Sequence, residues 1–310
     1  MRAAFLWLAI TAILYAGSPT WAAEVRAMTM TSLAAGVELP ATLFVPEGAG
    51  PFPAVVVARD CSGLGPRSSG APRRWAEELV AQGYVVLIAD SFSPRGLPNG
   101  VCTAPNNEGS RANGFVRAQD SYGAFAALRG LPFVDAGRVG LMGGSHGGWT
   151  TLASLAEFQT ADIALAQAKR RGFRAAIALY PNCSSRFGSW IVTREHGAWG
   201  AITGYSGTYR ALAPLLILIG EIDDWTPAEP CRRLAETSRA AGYDVAIVVY
   251  PDAHHSFDNT APKRYAAERN NANAPNGKGA TTGGNAAAWA DAKAQVATFF
   301  GKHLKAPREN

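Results

Sequence analysis

The chain has 310 residues, of which 48% are hydrophobic and 17% charged, a composition that excludes a disordered or collagen-like protein. Its 29 Lys and Arg residues against 24 Asp and Glu give a net charge of +5, and because the positive charges are scattered we expect no nucleic-acid partner. The length favours one large domain over residues 24–310, with enough chain to bury a core without a metal.

The first 23 residues have the pattern of a signal peptide. Arg2 supplies a positive charge, Ala3–Ala16 is apolar apart from Thr11, and cleavage is expected after Ala22 or Ala23. The apolar run is shorter than the roughly 20 residues of a membrane span, so we expect no stable membrane insertion, with a retained anchor as the alternative. The sequence therefore predicts an exported protein, either periplasmic or secreted.

Short apolar runs alternate with amphipathic stretches along the rest of the chain. Val25–Thr31 and Val37–Phe44 alternate like half-buried edge strands. Continuously apolar runs, typical of parallel strands covered by helices, follow at Ala54–Ala58, Tyr84–Ala89, Arg138–Met142, Ala175–Leu179, Leu215–Ile219 and Val245–Val249. Helices are predicted at Arg73–Ala81, Ala118–Leu128, Trp149–Ala156, Ala228–Ala240 and Ala287–His303. This alternation predicts an α/β fold with a mostly parallel, doubly wound sheet of about eight strands flanked by helices.

Two stretches lack this periodicity. Ser91–Gly114 is rich in proline and glycine, and we predict a long loop on the carboxyl side of the sheet. Asn259–Asn285 is rich in Asn, Ala and Gly, and we expect a mobile surface loop there because the segment has little apolar surface to bury.

The segment Gly143–Gly147 reads Gly-Gly-Ser-His-Gly and lies directly between an apolar run and a helical pattern. A nucleophile on such a strand-to-helix turn has a strained backbone, and neighbouring glycines remove steric clashes. The first N–H groups of the following helix favour negative charge at the same point. We interpret Ser145 as a nucleophile, the alternative being an ordinary glycine-rich turn.

A serine hydroxyl needs a general base near neutral pH. His254 and His255 follow the last buried strand, on the side of the sheet where the Ser145 turn lies. Adjacent side chains in an extended loop point in different directions, so only one of the two can be the base. The pattern alone leaves both open.

The base needs an orienting acid, expected at another strand end between nucleophile and base in chain order. Glu221, Asp223 and Asp224 follow the run that ends at Gly220, and all three are candidates. A surface loop with solvated carboxylates is the alternative.

Taken together, three motifs resemble the dienelactone hydrolase family of α/β hydrolases: Gly143–Gly147, Gly220–Pro227 and Tyr250–Phe257. The resemblance covers roughly residues 37–304 and implies the α/β-hydrolase fold. The family's acid stands four residues before the loop proline, here at Asp223, and its base two residues before the phenylalanine, here at His255. The resemblance thus implies His255 as the base and Asp223 as the acid, a choice that the pattern alone left open.

The resemblance also implies an oxyanion hole and substrate contacts. The backbone N–H groups of Cys61 and His146 would stabilise the developing oxyanion. Asp60 matches a position where an acidic residue interacts with the resting nucleophile. Arg95 matches a loop arginine that receives a substrate carboxylate, the alternative being that it ties down its own loop. Trp225 is a candidate for lining the acyl pocket or for packing.

Four cysteines in an exported chain favour two disulfides over a metal site, and the sequence alone allows three pairings. On the implied fold, Cys61 and Cys102 follow strands that end near the oxyanion loop. Cys183 and Cys231 lie beyond neighbouring strands. We therefore expect the pairs Cys61–Cys102 and Cys183–Cys231, each bracing a catalytic loop.

These features predict an exported serine hydrolase without metal or cofactor, which cleaves a small-molecule ester or lactone through an acyl-enzyme. The family's founding members have a cysteine at the position of Ser145, so the dienelactone substrate does not carry over, and the hydroxyl depends more heavily on His255. The alternatives are a peptidase or acyl-peptide hydrolase on the same fold and a catalytically silent binding protein. Substrate identity and oligomeric state stay open.

Overall fold

The computed structural model describes residues 24–306 except residues 35, 67, 158–161 and 198, so the predicted signal peptide lies outside the described residues. The central sheet contains β1 (Glu24–Thr31), β2 (Glu38–Val45), β3 (Phe52–Ala58), β4 (Val85–Ala89), β5 (Val134–Gly144), β6 (Ala176–Leu179), β9 (Leu215–Gly220) and β10 (Val245–Tyr250). Two hairpins stand outside it, β7 (Ile191–His196) with β8 (Trp199–Ser206) and β11 (Arg264–Asn270) with β12 (Lys278–Thr282).

The central sheet has eight strands in the order β1-β2-β4-β3-β5-β6-β9-β10. The first two neighbouring pairs are antiparallel and the remaining pairs are parallel. Every residue of β4 and β9 is buried, because their β-branched and leucine side chains are covered on both faces. The predicted α/β fold with a mostly parallel sheet is confirmed.

Helices flank the sheet in the described part of the chain: α1 (Ala71–Ala81), α2 (Asn106–Gly109), α3 (Gly114–Arg129), α4 (His146–Leu155), α5 (Ile163–Arg171), α6 (Ala228–Ala240) and α7 (Ala286–Phe300). Short turns of other helix types cover Ser93–Arg95, Ser110–Ala112 and Gly301–Lys305. A Cβ added at Gly140 of β5 would meet Phe300, whereas one at Gly143 would meet Gly147 of α4. Positions three apart in a strand face opposite sides, so α7 and α4 cover opposite faces of the sheet.

We expected a mobile surface loop over Asn259–Asn285, and the expectation of a loop is wrong, because β11 and β12 form a hairpin there. The Asn271 side chain donates to the carbonyl oxygens of Asp224 and Gly279, at 3.0 and 2.7 Å. The carboxylate of Asp224 in turn accepts from the backbone N–H and the hydroxyl of Thr281. The hairpin is thus stabilised by partners from a distant loop rather than by an apolar pattern of its own.

The structure forms two disulfides, Cys61–Cys102 and Cys183–Cys231, the two pairs expected from the sequence. The first joins the loop after β3 to the long loop after β4, and the second joins the loop after β6 to α6. Both therefore fasten segments at the carboxyl edge of the sheet. Within the described residues, no helix is both long enough and apolar enough to span a membrane.

Candidate active site

Ser145 occupies a tight turn between β5 and α4. Its backbone has φ 57° and ψ −117°, a conformation that non-glycine residues rarely adopt. A Cβ at Gly147 would lie 2.1 Å from the carbonyl oxygen of Ala58, and one at Gly143 would lie 2.5 Å from the backbone of Gly147. The turn can close against β3 only because these two positions lack side chains.

Strained backbone is concentrated around this turn. Among the described residues, the non-glycine positions with positive φ are Ser145 at 57°, Tyr180 at 35°, Asp252 at 55° and Ser256 at 59°. All four follow the carboxyl ends of β5, β6 or β10. Such conformations persist where the surrounding structure holds functional groups in place.

The imidazole of His255 connects Ser145 to Asp223. Its Nε2 lies 2.8 Å from the Ser145 hydroxyl, and its Nδ1 lies 2.8 Å from Oδ2 of Asp223. All three side chains are buried, with His255 fully inaccessible. Because a carboxylate only accepts hydrogen bonds, Nδ1 carries the proton and Nε2 accepts from the serine hydroxyl.

Asp223 is held in place by the start of its own loop. Its Oδ1 accepts from the backbone N–H groups of Trp225 and Thr226, at 2.9 and 2.8 Å. The Thr226 hydroxyl lies 3.0 Å from both Asp223 Oδ2 and His255 Nδ1. No motif indicates Thr226, which the loop brings to the junction of acid and base.

The other two candidate acids have different partners. Glu221 forms an exposed ion pair with Arg232, at 3.0 Å. Asp224 accepts from Thr281 of the β11–β12 hairpin. It is His255, and not His254, whose Nε2 lies within hydrogen-bonding distance of Ser145.

The loop after β3 and the start of α4 border Ser145. The backbone N–H of His146 is one of the first amides of α4, which have no acceptor within a helix. The carbonyl of Cys61 accepts from Val101 and Cys102, which ties this loop to the segment after β4. Asp60 accepts from the backbone N–H and the hydroxyl of Ser62, so its carboxylate organises its own loop, and its interaction with the resting nucleophile stays a prediction.

Arg95 is placed away from the site. Its guanidinium forms two hydrogen bonds to the carboxylate of Asp120, at 2.8 and 2.9 Å, and one to the carbonyl of Ser91, at 2.7 Å. The pair is buried, with side-chain exposures of 8% and 2%. Among the described residues that line the two cavities beside Ser145, Arg95 does not occur. The structure therefore shows the alternative given above, an arginine that ties its own loop to α3, and it shows no support for the substrate contact, which stays a prediction.

Two cavities meet at Ser145. The large lobe, of about 690 Å³, is lined by residues that include Phe115, His146, Trp149, Asn182 and Val192. The small lobe, of about 410 Å³, is lined by residues that include Asp60, Ser256, Glu268, Arg269 and Thr282. Ser145, Trp225 and the Cys61–Cys102 disulfide border both lobes.

The Trp225 ring stands beside the base. Its centroid lies 4.7 Å from that of His255, and its indole N–H donates to the carbonyl of Asn270, at 2.7 Å. The guanidinium carbon of Arg269 lies 4.7 Å from the same ring. Trp225 is thus held by the β11–β12 hairpin as a wall between the two lobes.

Arg117 of α3 is a site residue that the sequence analysis missed. Its side chain is 1% exposed, and it donates to Nδ1 of His146 at 2.6 Å and to the carbonyl of Arg59 at 2.7 Å. Burial lowers the pKa of Arg117 to about 10, so the group stays charged at neutral pH. Burial and this positive charge hold the pKa of His146 well below its ordinary value, so the imidazole is neutral.

In the described part of the chain, no three His, Cys, Asp or Glu side chains cluster in a way that could hold a metal ion. The arrangement offers instead a hydrogen-bonded nucleophile, base and acid at the meeting point of two cavities. Chemically, it can deprotonate the Ser145 hydroxyl and hold an anion next to the first amides of α4.

The chain is similar in sequence and in fold to known hydrolases, and the matched region contains Ser145, Asp223 and His255. The sequence profile of the dienelactone hydrolase family matches residues 39–304. A protein of Methylorubrum extorquens named "Putative carboxymethylenebutenolidase" is 25% identical over 236 residues, which are 74% of this chain and 72% of that protein.

A second relative has a different name. The protein of Grosmannia clavigera named "Probable dipeptidyl-aminopeptidase B" is 32% identical over 188 residues, 56% of this chain, but the match spans only 18% of that relative's length. Among solved structures, a dienelactone hydrolase-like promiscuous phosphotriesterase from metagenomic libraries has a TM-score of 0.59 and 21% identity. That match covers 91% of this chain and 99% of the other, and it shows the shared fold.

Proposed function

This chain belongs to the dienelactone hydrolase family, and we propose that it is a serine hydrolase that cleaves a carboxylic ester or lactone through an acyl-enzyme. The observation that carries the proposal is the buried line of hydrogen bonds from Asp223 through His255 to Ser145. An imidazole between a carboxylate and a serine is the arrangement that makes a hydroxyl nucleophilic.

The reaction follows from the direction of these bonds. As the Ser145 oxygen attacks the ester carbonyl carbon, its proton passes to Nε2 of His255, and Asp223 stabilises the resulting imidazolium. The tetrahedral intermediate then expels the alcohol, which takes the proton from Nε2 and leaves the acyl group on Ser145. Water repeats the sequence, giving its proton to His255 and releasing the acid and the free serine.

The negative charge that develops on the carbonyl oxygen needs donors that are already in place. The backbone N–H of His146, at the start of α4, and that of Cys61 are the two groups that we assign to it. The positive end of the α4 dipole adds to this stabilisation. Losing one such donor typically costs about 10²–10³ in rate.

The two lobes suggest how the substrate lies. The leaving alcohol must reach Nε2 of His255 to take its proton. The small lobe is lined by Ser256, the residue after the base, and by Thr282, which forms a β-bridge with His255. We therefore assign the alcohol to the small lobe and the acyl group to the large lobe, which His146 and Trp149 line.

Export is part of the same proposal. Both disulfides lie at the carboxyl edge of the sheet, and disulfides of this kind persist in oxidising compartments. The apolar amino-terminal segment with its small-residue cleavage site fits delivery to such a compartment. Mass spectrometry of the protein purified from a secreting host should find a chain that begins at Ala23 or Glu24.

Peptide hydrolysis is the second candidate, and the similarity to a peptidase-named relative favours it. An amide and an ester pass through the same tetrahedral intermediate, so the hydrogen-bonded line alone does not separate them. Matched substrates do so directly. The p-nitroanilide and the p-nitrophenyl ester of one acyl group share their acyl half, and we expect turnover of the ester alone.

The proposal is tested with p-nitrophenyl esters from acetyl to octanoyl, using Ser145→Ala as the control. Hydrolysis by the native protein and its loss in the variant would support a serine esterase, and the chain-length profile would measure the large lobe. A fluorophosphonate probe should label the native protein and spare Ser145→Ala. A folded protein that shows neither turnover nor labelling would instead be a silent binding protein.

A further inference from the structure

The side chain of His146 has no role in the reaction described above, which uses only its backbone N–H. Yet His146 is a lining residue of the large lobe beside Ser145, and its ring packs against Phe92 and Trp149 at centroid distances of 5.9 and 5.1 Å. A buried cation, Arg117, reaches it from α3. Burying a charged guanidinium costs free energy unless its N–H groups form hydrogen bonds. We therefore ask what the hydrogen bond from Arg117 to His146 does.

The contact determines which ring nitrogen carries the proton. An arginine can only donate, so Nδ1 of His146 must accept and has no hydrogen. The neutral ring then carries its hydrogen on Nε2. Nε2, separated from Nδ1 only by Cε1, is not one of the buried side-chain polar atoms that lack a partner among the described residues, and we place its N–H on the large lobe that His146 lines.

We propose that His146 is a neutral hydrogen-bond donor of the acyl site, held in its Nε2–H form by Arg117, and that it recognises acyl groups carrying an uncharged acceptor atom close to the scissile carbonyl. This inference rests on the proposed esterase function and names the substrate class of that site. Ether, hydroxyl and keto oxygens next to the carbonyl are the acceptors that fit. A purely aliphatic acyl chain would leave the N–H without a partner.

The location of the ring favours acyl recognition. His146 borders the large lobe and is absent from the described lining of the small lobe, so its donor does not face the leaving alcohol. Arg117 is the charged group that faces the ring, while Phe92 and Trp149 contribute aromatic surfaces. Burial and the Arg117 charge hold the pKa of His146 down, so the donor stays neutral across the working range of pH.

Two matched esters test the substrate class. The p-nitrophenyl esters of butanoic and methoxyacetic acid have the same number of heavy atoms and differ by one ether oxygen in place of a methylene. We expect His146→Phe to lower kcat/KM about tenfold more for the methoxyacetate than for the butanoate. His146→Gln, whose amide nitrogen can reach the Nε2 position, should restore most of that preference.

The control is His196→Phe, which changes an exposed histidine on β7 and should leave both rates as they are. Equal losses for the two esters in His146→Phe would overturn the proposal and make His146 a packing residue. If the native protein neither hydrolyses esters nor reacts with a fluorophosphonate, it is the esterase function that fails, and the substrate class fails with it.

The tautomer is tested without any turnover. Long-range proton–nitrogen NMR spectra are recorded on the full chain labelled with ¹⁵N-histidine. The signals of His146 are identified as those that disappear in His146→Gln. We expect them to show a ring that is protonated at Nε2 and unprotonated at Nδ1 from pH 5.5 to 8.5. A proton on Nδ1, or a titration near the ordinary histidine pKa, would overturn the assignment.

The role of Arg117 is tested with Arg117→Met. In this variant the His146 ring should titrate, and the pH profile of kcat/KM for the methoxyacetate should gain an ionisation below pH 7. A pH profile identical to that of the native protein would show that Arg117 has no such role.

Discussion

Replacing Asp223 with asparagine should invert the tautomer of His255. In the native protein, Oδ1 of Asp223 accepts from the backbone N–H groups of Trp225 and Thr226, at 2.9 and 2.8 Å. An asparagine must keep its carbonyl oxygen on these two donors, which turns its NH₂ group toward Nδ1 of His255. The imidazole then accepts at Nδ1, carries its proton on Nε2, and can no longer take the proton of Ser145.

We expect kcat of Asp223→Asn for p-nitrophenyl butanoate to fall by about 10³–10⁴, the loss expected when a base is held in the wrong tautomer. The thermal transition should stay close to that of the native protein, because the substitution keeps the shape and the two backbone hydrogen bonds. Asp224→Asn is the matched control, since that carboxylate accepts from Thr281 of the β11–β12 hairpin, and its kcat should stay within about twofold. A loss of less than about tenfold in Asp223→Asn would refute the reasoning.

Gly147→Ala should lower Tm by several degrees, because the new Cβ would lie 2.1 Å from a carbonyl oxygen at the end of β3. Gly204→Ala is the control, since a Cβ there would meet no atom within 4 Å. Equal melting temperatures for the two variants would contradict the argument. Arg95→Met should lower the free energy of unfolding by about 3 kcal/mol, because the buried carboxylate of Asp120 loses its ion-pair partner and keeps only the hydrogen bond from the Ser32 hydroxyl among those described for it. Its kcat/KM for a carboxylate-bearing ester should not change, and a selective loss for that ester would restore the substrate contact. Replacing both Cys183 and Cys231 with serine should lower the free energy of unfolding, measured in urea, by about 4 kcal/mol. This is the loss expected when a disulfide that closes a loop of 48 residues is removed. A loss below about 1 kcal/mol would show that the reduced chain is already constrained.

Elements with a strong local pattern could be predicted, and elements without one could not. The apolar runs that became β4 and β9 are buried on both faces, so their composition alone marks them as parallel strands. Helix α5 was missed because its buried face consists of Leu165 and Lys169, too few positions to produce a helical period. The β11–β12 hairpin was missed because side chains of other loops stabilise it.

The candidate site divides in the same way. Ser145 could be found from the residues around it, because the glycines that permit the strained turn are its neighbours in the chain. The choice between His254 and His255, and among three carboxylates, concerns neighbouring positions that face different directions. A chain pattern does not carry that information, and the family resemblance made the choice before the contacts could be seen.

By itself, the sequence determined the alternation of strands and helices, the class of the fold, the family and the turn that holds Ser145, because each of these depends on residues close together in the chain. Only the tertiary structure decided which side chains meet: His255 with Ser145 across 110 residues, and Arg117 with His146 across 29. It also decided that Arg95 forms a buried ion pair with Asp120. Hydrogen bonds have short range and strict direction, so their partners are set by where the folded backbone places each Cβ, which no local pattern specifies.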